Sequence, residues 1–149
     1  MSLRSEVQKL LQDGDVLAYR PPETYTAVGA TYTLFTIVGG PVQLKLLVGT
    51  RTGAAVAATV LDITASGVAV AAANPILGAT PLNGVIWMPL NVAGTALGAA
   101  AIPGTVATLT YMLAGVGIIE LTVTGVAGSM VLEWAVVYKR LNPASEINI

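Results

Sequence analysis

The chain has 149 residues, seven of them Lys or Arg and eight Asp or Glu, and it contains neither His nor Cys. That length suits one domain able to bury roughly 70% of its unfolded surface, and the lack of a basic balance removes the electrostatic footprint that nucleic-acid binders show. Without imidazole or thiolate there is no Ser-His-Asp triad, no Cys nucleophile, no disulfide framework and no ordinary zinc site.

Leu3, Val7, Leu10 and Leu11 recur at helical spacing behind Ser2, a suitable N-cap, with Arg4, Glu6 and Lys9 mostly on the other side. The pattern predicts a helix over residues 2–11. So short a helix is marginal alone in water, so its apolar stripe should dock, either on its own domain or on a neighbour. The segment lacks the apolar run of a secretory signal, which predicts synthesis in a cytoplasm. Asp13-Gly14 then reads as a turn, Val16 to Arg20 as a strand, and Pro21-Pro22 as its stop. Residues 1–23 are therefore expected to form an arm and connector, and residues 24–149 a single domain.

From there the pattern is all β. Thr31 to Val38 is rich in β-branched and aromatic residues and closes on Gly39-Gly40-Pro41. In "VQLKLLVGT", Gln43 and Lys45 alternate with Leu44 and Leu46, which predicts one wet and one buried face. Further strands are predicted over Ala55 to Thr64, Val68 to Ala73, Val85 to Leu90, Thr105 to Leu113, Ile118 to Thr124 and Met130 to Lys139. About eight short strands with Gly and Pro punctuation predict an all-β fold, an antiparallel β-sandwich or jelly roll behind the short N-terminal helix.

Charged residues make up 10% of the chain, and none lies between Ile63 and Ile119; ordinary soluble domains carry about 25%. This is no membrane-spanning helix, because Pro75, Pro81, Pro89 and Pro103 interrupt it with Asn74, Asn83 and Asn91 between them. Nor does it show the aromatic girdles of a transmembrane barrel. Loops normally run over the surface, so apolar loops gathered together form a larger patch than a soluble monomer exposes. Burial between subunits is the economical answer. The residues expected at such contacts are Leu3, Val7, Leu10 and Leu11 on the arm, and Ile76, Leu77, Leu82, Leu97 and Ile102 in the loops.

The remaining chemistry rests on carboxylates and aromatics. Glu120 and Glu133 form a glycosidase-like pair only if both face one cleft. A hairpin pairing Thr124 with Met130 sets them on opposite faces, and a slip of one residue brings them together. Asp13 and Asp15 fall short of the six to eight oxygens of a calcium site and read as a solvated turn. Trp87 and Trp134 are candidates for stacking on a sugar, but their aliphatic flanks favour a core or interface. No cofactor, metal or catalytic residue is expected.

Three segments carry a resemblance. "YTLFTIVGGPVQLKLLVG" from Tyr32, "GVIWM" from Gly84 and "MVLEWAVVYKRLNP" from Met130 resemble small structural proteins of tailed bacteriophages. In that type a Leu-Phe-Thr-Ile strand leads the domain, an Ile-Trp lies mid-chain and a Trp-bearing strand closes it. The resemblance covers roughly Thr31 to Pro143. It implies a β-sandwich virion protein of the decoration, cement or head-fibre sort, often trimeric, non-enzymatic and seated on the capsid. The expected partners are sister chains and a major capsid or other virion protein, with no nucleic acid and no membrane. The alternative is a carbohydrate- or receptor-binding module of a phage fibre or tail.

Overall fold

The computed structural model describes residues 3–26, 29–52, 59–71, 85–88, 98–100, 112–125 and 130–149. Its elements are α1 (Leu3–Gln8), β1 (Asp15–Tyr25), β2 (Thr31–Val38), β3 (Val42–Arg51), β4 (Thr59–Ala65), β5 (Val68–Ala71), β6 (Val85–Met88), β7 (Gly98–Ala100), β8 (Met112–Ala114), β9 (Gly117–Gly125), β10 (Met130–Arg140) and β11 (Glu146–Asn148). All strand pairs are antiparallel. The front sheet runs β1-β10-β3-β6-β7, with β8 beside β6 on the same edge of β3, and the back sheet runs β11-β2-β9-β4-β5. Without the three-residue strands, the other eight run first-eighth-third-sixth in front and second-seventh-fourth-fifth behind. That is the strand order of a jelly roll, two Greek keys folded into a sandwich.

The expected hairpin between Glu120 and Glu133 is corrected by this topology. Strand β9 pairs with β2 and β4 in the back sheet, and β10 with β1 and β3 in the front. A Gly-rich connection looks the same in sequence whether it turns within a sheet or crosses between two. Ile119, Leu121 and Val123 fill the core from behind, and Met130, Leu132, Trp134, Val136 and Tyr138 fill it from the front. Period-two alternation then sends Glu120 and Glu133 to opposite outer faces of the sandwich. They share no cleft.

Bulges resolve places where simple alternation fails. The register between β1 and β10 shifts between Arg20 and Glu23, so the strand expected to stop at Pro21 runs on to Tyr25. Proline has no N–H for a ladder but is tolerated at a bulge on an edge strand, and β1 is an edge strand. A second shift, between Thr33 and Phe35, turns the consecutive Leu34 and Phe35 both inward. A third falls where Val137 pairs with Leu46 and Tyr138 with Leu44, leaving Lys45 as the extra residue. Beyond it the phase of β3 reverses, so Leu47 joins the intersheet core while Leu46 and Val48 face outward. The wet face predicted from Gln43 and Lys45 therefore ends at Lys45.

Two further ties cross between the sheets. Tyr138, buried in the front sheet, accepts a hydrogen bond at its hydroxyl from the Ile147 N–H of β11 (3.1 Å). Arg20 Nη1 donates to the Leu34 carbonyl at the bulge of β2 (3.1 Å). The Trp134 ring lies across Gly49, its partner on β3, and a Cβ at Gly49 would stand 2.8 Å from ring carbon Cζ3. Gly49→Ala is expected to overpack this point and cost about 1–3 kcal/mol, read as a lower midpoint in urea. Gly115→Ala, where a Cβ meets nothing within 4 Å, is expected to leave the midpoint close to the parent.

Candidate interaction surface

The outer face of the front sheet is where the N-terminal arm sits. Leu3 and Val7 of α1 pack against Leu46 and Val48 of β3 and Ala135 and Val137 of β10, with Leu11, Leu17 and Tyr19 at the margin. The phase reversal at Lys45 is what presents Leu46 and Val48 to the helix. Of the arm residues expected at an intermolecular contact, Leu3 and Val7 are thus buried within their own chain and Leu11 is partly covered. Leu10 is left outward, 57% exposed. Helix α1 is shorter than predicted, six residues, and ends in tightened turns in which Leu10 N–H reaches the Val7 carbonyl (2.9 Å).

A buried carboxylate anchors the arm, and no sequence motif announced it. Glu133 is only 6% exposed. Its Oε2 accepts from the Tyr19 hydroxyl (2.6 Å) and its Oε1 from the Leu3 N–H (3.4 Å), one of the amides that the first turn of a helix leaves unpaired. Arg4 lies over the Tyr19 ring, 5.9 Å from its centroid. Burial, then the hydrogen bond to Glu133 and that carboxylate's charge, push the Tyr19 hydroxyl up to about 12, against a smaller opposing effect of Arg4.

The turn after the helix is an ion-pair joint. Lys45 Nζ contacts both oxygens of Asp15 (2.8 and 3.0 Å) and Gln12 Oε1 (3.3 Å). The Gln12 N–H donates to Asp15 Oδ2 (2.9 Å). Burial alone raises the Asp15 carboxyl, but the hydrogen bonds from Lys45 and Gln12 and the charges of Lys45 and Lys139 outweigh it and leave it below its ordinary value. The "DGD" turn is therefore half a salt bridge, with Asp15 paired and Asp13 exposed. Among the described residues no group of three or more carboxylates could hold a metal ion.

Trp134 is fully buried and offers no face to a sugar. Trp87 holds the position on β6 opposite Val48. Ile76, Leu77, Leu82, Leu97 and Ile102 lie outside the described residues, and β5, β6, β7 and β8, which flank them in the chain, carry no charged residue. Leu113 and Val116, by the turn from β8 to β9, and Leu141, after β10, are exposed. Among the described residues no helix is long and apolar enough to cross a membrane.

No family model and no curated protein matches the chain. Among solved structures, it is similar to a chain in the structure of the infectious bursal disease virus Gt strain, with 16% identity and a TM-score of 0.37. The match covers 91% of this chain and 38% of that one, so this chain spans well under half of that protein's length.

Two outcomes follow from the arm's anchor. Glu133→Leu leaves the Tyr19 hydroxyl and the Leu3 N–H without their acceptor, at an expected cost of about 1–3 kcal/mol, with amide exchange faster in α1 than in the intersheet core. A phenol raised from 10 to about 12 supports the fold fully below pH 10 and loses that support as pH rises through 12. Tyr19→Phe is expected to flatten the fall in stability between those values, read by urea titration at a series of alkaline pH values.

Proposed function

We propose that this chain is a non-enzymatic structural protein of a tailed-bacteriophage virion, of the decoration or cement type. It assembles as a symmetric homo-oligomer, a trimer, and binds the capsid or another virion surface. The observation that carries the reading is the partition of charge across the sandwich. Every Asp, Glu, Lys and Arg lies on α1, β1, β3, β4, β9, β10, β11 or the turns next to them, and the strands β5 to β8 carry none. A surface without charge is suited to removal from water, at about 25 cal/mol per Å² of apolar area before ordering costs.

The jelly-roll strand order supports the reading by analogy of fold, since viral capsid domains use it. Lectin domains use it as well, which keeps the carbohydrate-binding alternative in view. That alternative needs an aromatic platform open to solvent, and Trp134 is not one. The non-enzymatic reading is supported by Glu120 and Glu133 standing on separate sheets and by a chain without His or Cys.

Light scattering of the purified chain is expected to give three times its 15.1 kDa mass. Mass-spectrometric analysis of purified particles from an infected culture is expected to find it at a fixed ratio to the major capsid protein. A monomer at millimolar concentration that is absent from particles would overturn the reading.

A further inference from the structure

Among the described residues, five turns close one end of the sandwich. In the front sheet, Asp15 stands opposite Lys139, Lys139 opposite Gln43 and Gln43 opposite Leu113. In the back sheet, Ala65 pairs with Ile119, Ile37 with Gly117 and Val38 with Glu146. Residues 9–14, 39–41, 66–67, 115–116 and 141–145 lie just beyond those rows. Hydrogen bonds tie the turns to one another: Ser145 Oγ donates to the Pro41 carbonyl (2.8 Å) and Ser66 Oγ to the Gly115 carbonyl (2.7 Å). A Cβ at Gly39, whose φ is +73°, would collide with the Ala144 carbonyl, so two of the turns touch backbone to backbone. Side chains carried on turns fixed in this way lose little backbone freedom on binding.

This end displays apolar side chains that the rest of the described surface lacks. Of the five large hydrophobic residues exposed among the described residues, Leu10, Leu113, Val116 and Leu141 lie here, each half exposed or more. Single exposed apolar residues are ordinary, whereas a group of them marks a place of contact. Lys139 and Arg140 are exposed among them. The described residues include every Asp and Glu of the chain, and neither cation forms an ion pair with any of them. The exposed carboxylates nearby are Asp13, on the turn into β1, and Glu146, which alternates with the buried Ile147 and so belongs to the back face.

We propose that this end is the docking surface for the virion protein that the chain binds, and that the partner presents aliphatic sockets for Leu113, Val116 and Leu141 with carboxylates opposite Lys139 and Arg140. The inference rests on the virion reading above and names the surface and the chemistry of its partner. Any surface that covers the apolar side chains also takes the two cations from water, which is costly unless it supplies their counter-charges. A protein fits better than an anionic membrane. Lipid recognition uses clusters of about four to eight basic residues, and two unpaired cations beside Asp13 fall short of that. Aromatic residues mark the lipid interface, and none is exposed at this end among the described residues.

The test measures co-sedimentation of the full-length chain with particles assembled without it, at a series of salt concentrations. Val116→Ser with Leu141→Ser is expected to weaken binding about ten-fold or more. Lys139→Gln with Arg140→Gln is expected to weaken it and to flatten its salt dependence. Thr33→Glu with Ile149→Glu, which lowers the net charge equally but away from this end, is expected to bind as the parent does. All six side chains are exposed, and each variant is expected to keep the parent's urea midpoint. Folded variants of this end that bind as tightly as the parent overturn the docking surface and leave the virion reading standing. A parent that does not bind particles overturns the virion reading and the surface with it. Parent binding to vesicles of phosphatidylcholine and phosphatidylserine that the same substitutions abolish overturns the protein partner in favour of a lipid one.

If particles do not assemble without the chain, hydroxyl-radical oxidation of intact particles decides. Leu10, Leu113, Val116 and Leu141 are expected to react more slowly on the particle than in the free chain, with Ile149 unchanged. Equal oxidation of the four in both states overturns the surface.

Discussion

Glu133 and Trp134 are neighbours on β10 and serve opposite sides of one sheet. The indole lies across Gly49 in the intersheet core, and the carboxylate receives Tyr19 and the first amide of α1 on the outer face. Strand β10 is buried from both sides as a result, which an antiparallel sheet with one wet face does not require. The other features support that condition. The bulge at Lys45 turns Leu46 and Val48 outward to complete the seam under α1, and the bulge at Pro21-Pro22 ends simple pairing at the free edge of β1. The arm is in this sense a third layer of the fold, clipped at one end by Glu133 and at the other by the Asp15–Lys45 pair.

Charge follows the same division. Ion pairs and buried carboxylates gather where the chain must fix one arrangement, at the arm, the turn to β1 and the β1 bulge. The strands drawn from the neutral middle of the sequence complete the opposite side. A sandwich this asymmetric has one side suited to water and one suited to contact, and the proposed assembly makes that contact the place where copies meet. The outer face of the back sheet, with Thr33, Thr36, Thr64 and Thr122 on neighbouring strands, belongs to the solvated side.

Much of the fold is legible in the residues. Thr31 to Val38 matches β2 residue for residue, and Met130 to Lys139 falls one residue short of β10, because dense β-branched and aromatic runs closed by glycine or proline leave little choice. The all-β sandwich follows from the same runs. Less legible is what depends on partners distant in sequence. Nothing local in residues 114–117, before β9, or in residues 125–129, after it, says that the chain changes sheets there, so a hairpin between β9 and β10 is the natural expectation and the crossing is not. Strand β11 was missed because Glu-Ile-Asn is too short to show alternation; it exists because Tyr138 and the edge of β2 receive it. The arm's helical spacing was readable, but its docking place was not. That place is made by a bulge and by a glutamate in the middle of a strand, and neither has a sequence signature. For Ile76, Leu77, Leu82, Leu97 and Ile102, outside the described residues, the signal is compositional and carries no geometry.

The account depends on the charge-free side of the sandwich being shielded from water in the assembled protein. Hydroxyl-radical footprinting of the purified oligomer tests this most directly, by comparing oxidation of Trp87 and Met88 on β6 with that of Leu10, Leu141 and Ile149, each corrected for the intrinsic reactivity of its residue type. The account predicts that the first group is modified far more slowly than the second. Equal modification of both groups, in a sample shown to be folded, would contradict it.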